Sequence, residues 1–129
     1  RGVGGAEKRS YGLTELVTRD GWLMPAAVFR LQLEALGDEF RVLAFDPRSQ
    51  GESAIAPAGH HPDRRARDIA ELLAVANVDA AVLAGWSLGG ELALAYARQF
   101  PARVASLTLI ASTPCFIQKT DWPAASRLV

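Results

Sequence analysis

Residues 78–100 read VDAAVLAGWSLGGELALAYARQF, and the fold prediction starts from this stretch. Residues 80–84 form a short apolar run that is typical of a buried strand. Residues 91–100 have apolar side chains at helical spacing, and Pro101 then stops the pattern. The segment Gly85-Trp86-Ser87-Leu88-Gly89 lies between the two. The stretch therefore predicts a strand, a tight turn and a helix in direct succession.

The pattern G-x-S-x-G between a strand and a helix is the sequence form of a nucleophile elbow. Such a turn strains the backbone of Ser87 so that its hydroxyl projects above the sheet edge. Glycine at Gly85 and Gly89 leaves room where neighbouring chain passes closely, and Gly90 extends the permissive stretch into the helix. Because the helix N-terminus points unpaired N–H groups at the serine, the N–H of Leu88 is the predicted first oxyanion donor.

The composition is that of an ordinary globular domain. The chain has 129 residues, of which 50% are hydrophobic and 22% are charged. Fourteen basic and fourteen acidic residues cancel, so charge gives no reason to expect nucleic acid or an anionic membrane as a partner. The single cysteine, Cys115, excludes an internal disulfide and a zinc pattern, and no apolar run reaches the roughly 18 residues of a membrane span. We expect a cytoplasmic protein that uses no metal and no cofactor.

Strand and helix patterns alternate along the chain. Residues 1–12 are rich in glycine and charge and are predicted to be a flexible lead-in. The predicted strands are residues 13–18, 40–45, 80–84 and 104–110, and the predicted helices are residues 25–36, 62–76 and 91–100. This order predicts the α/β class, with a mostly parallel sheet, right-handed crossovers and helices on both faces. Reactive groups then collect at the carboxyl ends of the strands, where four segments fall: Gly21-Trp22, the loop after Asp46, Ser87 and Ser112-Thr113.

With this order and the elbow, the chain resembles the α/β-hydrolases. Residues 82–124 contain GWSLGG, FPARVASLTLIASTPCF and TDWPAA, and they are similar to the pimeloyl-[acyl-carrier protein] methyl ester esterases of biotin synthesis. The loop DPRSQGES at residues 46–53 is shared by α/β-hydrolases more broadly. The resemblance implies the N-terminal part of that fold, with a partial core over residues 13–118 and the start of a lid over residues 119–129. It places the family's remaining lid, its last two strands, its acidic triad member and its catalytic histidine downstream of Val129.

The resemblance also implies roles for single residues. Ser87 would be the nucleophile that accepts the acyl group, and the backbone N–H groups of Leu88 and Trp22 would form the oxyanion hole. The family's His-Gly at the oxyanion turn is replaced here by Asp20-Gly21. For Trp22 and Trp86, simple packing in the core is the alternative to walling the acyl pocket. The candidate pocket residues are Trp86, Cys115 and Phe116.

A serine hydroxyl needs a base, and the chain has histidines only at His60 and His61, both before Ser87. Either would have to fold over the strand edge to reach the serine. The first hypothesis is therefore a carboxylic-ester hydrolase that forms an acyl-enzyme on Ser87, with acid and base supplied from outside this chain or by a second copy. Its substrate would be the methyl ester of a short acyl chain or of one bound to an acyl-carrier protein.

The alternative hypothesis is a weakly active or inactive half-domain. Such a half-domain would pair with itself through the exposed strand at residues 104–110, or serve as a binding module that uses the same crevice. A histidine able to reach Ser87 distinguishes the two hypotheses.

Overall fold

The computed structural model describes residues 14–20, 26–115 and 120–121. The strands are β1 (Thr14–Asp20), β2 (Arg41–Phe45), β3 (Ala81–Ser87) and β4 (Val104–Ile110). The helices are α1 (Arg30–Leu36), α2 (Pro62–Val75) and α3 (Leu88–Gln99), and short 3-10 turns cover Ala26–Phe29 and Pro101–Arg103. The predicted lead-in and nearly all of the predicted lid start lie outside the described residues.

The four strands of the described sheet are parallel and lie in the order β2-β1-β3-β4. β1 and β3 occupy the centre, and each crossover between parallel strands contains a helix. The predicted α/β class with a parallel sheet is therefore confirmed. No helix within the described ranges is long and apolar enough to cross a membrane.

The strand–helix junction differs from its prediction. β3 continues to Ser87 instead of ending at residue 84, and α3 begins at Leu88 instead of residue 91. β1 likewise runs to Asp20 instead of residue 18, in register with the longer β3. The predictions of a separate turn and of an earlier strand end were wrong. Hydrogen bonds between β1 and β3 extend both strands through residues that local propensity assigns to a turn.

The core lies between α2, α3 and β3. Its fully buried large side chains are Ile69, Leu73, Leu83, Leu92 and Tyr96. α2 begins at Pro62, with His61 as N-cap. After the helix, the chain turns toward β3 at Asn77, whose φ of 54° is left-handed. Ala66, Ile69 and Leu73 form the buried face of α2.

Arg103 fixes the amino end of the sheet. Its guanidinium donates hydrogen bonds to the carbonyl oxygens of Val78 at 2.9 Å, Asp79 at 3.2 Å and Ala70 at 3.5 Å. These carbonyls belong to the end of α2 and to the connection that leads into β3. One side chain thus ties the start of β4 to the previous crossover, at the sheet end opposite the serine.

Tyr96 generates the first prediction. Its ring is fully buried against Phe100, with ring centroids 5.0 Å apart, and its hydroxyl has no hydrogen-bond partner among the described residues. Burying an unpartnered hydroxyl costs about 1–3 kcal/mol. We therefore expect Tyr96→Phe to leave the free energy of unfolding in urea unchanged or to raise it by about 1 kcal/mol.

Leu83→Ala provides the contrast, because removing a fully buried leucine from β3 costs about 2–5 kcal/mol. A clear loss of stability in Tyr96→Phe would show that the hydroxyl makes a bond in solution, and would contradict the prediction.

Candidate active site

Ser87 stands where β3 ends and α3 begins, in an unusual backbone conformation. Its φ is 55° and its ψ is −122°, a left-handed geometry that residues with a Cβ rarely adopt. Strain of this kind costs about 1–3 kcal/mol and tends to lie at functional sites. The backbone of Ser87 thus has the strain that the sequence pattern predicts, and the role of its hydroxyl stays a prediction.

Gly85 allows this conformation because it has no side chain. A Cβ at Gly85 would lie 2.5 Å from the carbonyl oxygen of Gly89 and 2.6 Å from the Cα of Gly90. Both are backbone atoms of the first turn of α3, which cannot move without moving the helix. The last residues of β3 and the first turn of α3 therefore pack against each other directly.

Ser112, in the chain that follows β4, supports the same turn. Its hydroxyl oxygen lies 2.6 Å from the carbonyl oxygen of Ser87, to which it donates a hydrogen bond. A Cβ at Gly90 would lie 2.0 Å from that hydroxyl oxygen, so Gly90 leaves the space that Ser112 fills. Ala111, whose φ is 47°, turns the chain between β4 and Ser112. The sequence placed Ser112 at this edge but assigned it no role.

Asp46 holds the loop that follows β2. Its Oδ1 accepts a hydrogen bond from the backbone N–H of Ala26 at 2.7 Å, and its Oδ2 accepts one from Glu52 at 3.1 Å. The hydroxyl of Ser53 donates to the backbone carbonyl of Asp46 at 2.5 Å. A Cβ at Gly51 would lie 2.1 Å from the carboxylate, so glycine is needed there. Asp46 therefore pins its loop to the chain before α1.

His60 is also held within this loop region. Its Nε2 lies 2.9 Å from the hydroxyl oxygen of Ser49, and the N–H of Ala56 donates a hydrogen bond to that oxygen at 2.9 Å. The loop is fastened to α2 by Arg48, whose guanidinium donates to both carboxylate oxygens of Asp68 at 2.5 and 2.6 Å. The ordering of His60 therefore comes from its own loop.

A cavity of about 370 Å³ opens beside the start of α3. Its lining residues are His60, Pro62, Arg65, Leu88, Glu91, Leu92 and Cys115. Burial raises the pKa of the Glu91 carboxyl, while the charges of Arg65 and His61 act to lower it. Within the described ranges, no three His, Cys, Asp or Glu side chains are grouped as a metal site would require.

The predicted pocket residues have different positions. Cys115 lines the cavity, whereas Trp86 is absent from its lining and contacts Phe29 edge-on, with ring centroids 6.5 Å apart. Trp22 and Phe116 lie outside the described residues. Glu91 and Arg65 were missed as site residues, because only the packing of α2 beside α3 brings them to one cavity.

Comparison with known proteins identifies the family. Residues 17–128 match the family model described as the alpha/beta hydrolase fold. The chain belongs to the α/β-hydrolase family. The predicted family and fold are therefore confirmed.

This α/β-hydrolase is similar to two curated relatives, both named pimeloyl-[acyl-carrier protein] methyl ester esterase. It is 38% identical over 109 residues to the one from Nitrosomonas europaea, covering 84% of this chain and 41% of the relative. It is 36% identical over 112 residues to the one from Pectobacterium atrosepticum, covering 87% of this chain and 42% of the relative. The chain thus spans less than half the length of these relatives, and the predicted resemblance to this group is confirmed over that span.

A solved structure agrees with this assignment. The esterase from Exiguobacterium antarcticum superposes with a TM-score of 0.80 at 26% identity, covering 88% of this α/β-hydrolase and 44% of that chain.

The Gly90–Ser112 contact gives the second prediction. We expect Gly90→Ala to lower the free energy of unfolding by about 1–3 kcal/mol, since the new methyl group would overlap the Ser112 side chain. Ser112→Gly removes the obstructing atoms, so the double variant should be less destabilised than the sum of the two single changes. Urea denaturation of all four proteins measures this coupling.

Gly85→Ala is the matched control, because its clash is with backbone that no side-chain change removes. Its destabilisation should change far less than that of Gly90→Ala when position 112 is made glycine, because the Ser112 hydroxyl contacts Gly85 only at its carbonyl oxygen, at 3.4 Å. Additive effects of Gly90→Ala and Ser112→Gly would contradict the predicted contact.

Proposed function

We propose that this chain carries the nucleophile of a carboxylic-ester hydrolase, and that Ser87 is the residue that accepts the acyl group. The observation that carries the proposal is the positive φ of Ser87 at a strand–helix junction closed by Gly85. This geometry presents a serine at the carboxyl edge of a parallel sheet, where reactive groups of such folds collect. The relatives named as esterases support the same reaction class.

The reaction would proceed through an acyl-enzyme. A base takes the proton of the Ser87 hydroxyl as its oxygen attacks the ester carbonyl. The resulting oxyanion accepts hydrogen bonds from the backbone N–H of Leu88, the first residue of α3, and from that of Trp22. The alcohol leaves with the transferred proton, and water then attacks the acyl-serine with help from the same base, releasing the acid and restoring the hydroxyl.

The base is proposed to come from a part of the protein outside residues 1–129. His60 and His61 are the two histidines of the chain, and the ring of His60 is engaged by Ser49. His61 caps α2, where its Nδ1 accepts from the N–H of Asp63. In this fold the acid and the histidine follow the serine along the chain, and the curated relatives extend well beyond the matched region.

The substrate is proposed to be a methyl ester of an acyl chain carried by an acyl-carrier protein. The names of the two curated relatives, both pimeloyl-[acyl-carrier protein] methyl ester esterases, support this choice. Leu88, Leu92 and Cys115 give the cavity beside the serine an apolar wall that an acyl chain can contact.

The test is the third prediction. The protein that carries residues 1–129 is treated with a fluorophosphonate and its intact mass is measured. We expect one adduct, which Ser87→Ala abolishes because the attacking oxygen is removed. Ser106→Ala, which changes an exposed serine of β4, is the matched control and should keep the adduct. An adduct that persists in Ser87→Ala would place the reactive group elsewhere.

A self-associating binding module is the second candidate. β4 pairs with β3 alone within the described sheet, and Leu109 and Ile110 on it are 42% and 49% exposed. An open strand edge with apolar side chains can pair with a second copy. No adduct on folded protein, together with a molar mass that rises with concentration in light scattering, would favour this candidate over the hydrolase.

A further inference from the structure

Two opposite charges lie beside the first turn of α3. Glu91 belongs to that turn and lines the same cavity as Leu88, whose N–H is the proposed oxyanion donor. Arg65 projects from α2 into this cavity. Within the described residues, Glu91 is the only acidic residue that lines the cavity.

The place of Glu91 creates an electrostatic conflict. The N-terminus of a helix carries partial positive charge, which stabilises a carboxylate in the first turn. The same partial charge is what would stabilise an oxyanion at the N–H of Leu88. An ionised Glu91 therefore competes for this stabilisation, and its repulsion of a second negative charge is strong where water is partly excluded.

We propose that Arg65 is a positioning residue that offsets the charge of Glu91, so that the N-terminus of α3 remains available to the oxyanion formed on Ser87. The inference rests on the proposed function. Arg65 reaches the cavity from a different element, so the packing of α2 beside α3 brings the two charged side chains to one cavity. Glu91 then stabilises the first turn of the helix without weakening the oxyanion site.

The surrounding groups set the pH dependence. Glu91 shares its cavity with Arg65 of α2, His60 of the loop before α2 and Cys115 of the chain after β4. The charge of His61, the N-cap of α2, also acts on Glu91. Burial raises the pKa of Glu91. The charges of Arg65 and His61 lower it, and Arg65 has the larger effect of the two. Removing Arg65 should raise this pKa further. The repulsion is then present above the raised pKa and is lost as the pH falls through it.

The fourth prediction concerns rates at Ser87. In the protein that carries residues 1–129, we would measure kcat/KM for a short-chain ester and the rate of fluorophosphonate labelling. Arg65→Gln should lower both about three- to thirtyfold, because Glu91 is left uncompensated. Arg65→Lys should recover most of the rate, since it keeps the charge. Glu91→Gln alone should raise both rates, and adding it to Arg65→Gln should remove the defect.

Two readouts separate charge from packing. The defect of Arg65→Gln relative to the unchanged protein should shrink as the pH is lowered, since protonation of Glu91 removes the repulsion. Arg67→Gln is the matched control, because it removes an exposed arginine from the same helix outside the cavity lining and should leave the rates unchanged. Thermal melting of each variant confirms folding. If Arg65→Gln does not fold, the rates of Glu91→Gln alone test the proposal, which requires them to exceed those of the unchanged protein.

The outcomes distinguish this inference from the proposed function. No adduct on Ser87 of the unchanged protein overturns both. If the unchanged protein forms the adduct, three results would overturn only the proposed role of Arg65. These are an Arg65→Gln variant that reacts as fast as the unchanged protein, a double variant as slow as Arg65→Gln, and a Glu91→Gln variant that is not faster than the unchanged protein. Rescue by Glu91→Gln and by Arg65→Lys supports the pair.

Discussion

The structure depends on one contact, in which the backbone of Gly85 in β3 lies against the backbone of Gly89 in the first turn of α3. This contact requires the chain to reverse from strand to helix without a loop, and the reversal requires the left-handed conformation of Ser87. Leu83 and Leu92, fully buried on either side, anchor the strand and the helix in the core. Burial of these apolar side chains stabilises the fold and so offsets the local strain at the serine.

Left-handed residues other than glycine are concentrated at the same sheet edge. Ser87 is the last residue of β3, Ser49 and Ala111 follow β2 and β4, and each of the three has a positive φ. Side-chain hydrogen bonds support two of them, since His60 meets the hydroxyl of Ser49 and Ser112 donates to the carbonyl of Ser87. In the described part of the chain, the opposite end of the sheet has one such residue, Asn77, and there Arg103 donates hydrogen bonds to three backbone carbonyls, that of the adjoining Val78 among them.

Much of the fold could be predicted from the sequence because its signals are local. α2 and β4 are amphipathic or apolar segments with clear start and stop residues, and their bounds agree closely with prediction. The junction at Ser87 was misjudged because its glycines indicate a turn, whereas the ladder between β1 and β3 continues to the serine. The hydrogen bond from Ser112 and the shared cavity of Arg65 and Glu91 depend on packing between distant elements, which no local pattern records. Trp86 shows the same limit, since its edge-on contact with Phe29 depends on where the chain before α1 lies.

The carboxylate of Asp46 has a consequence for redesigning this protein. Because its two oxygens hold the N–H groups of Ala26 and Glu52, the chain entering α1 and the loop after β2 share a single anchor. Exchanging that loop with one from another hydrolase would release the other segment unless the anchor is transferred with it. A transplant of residues 46–53 therefore has to keep an acceptor for the N–H of Ala26 and, because Arg48 binds Asp68 on α2, that second carboxylate as well.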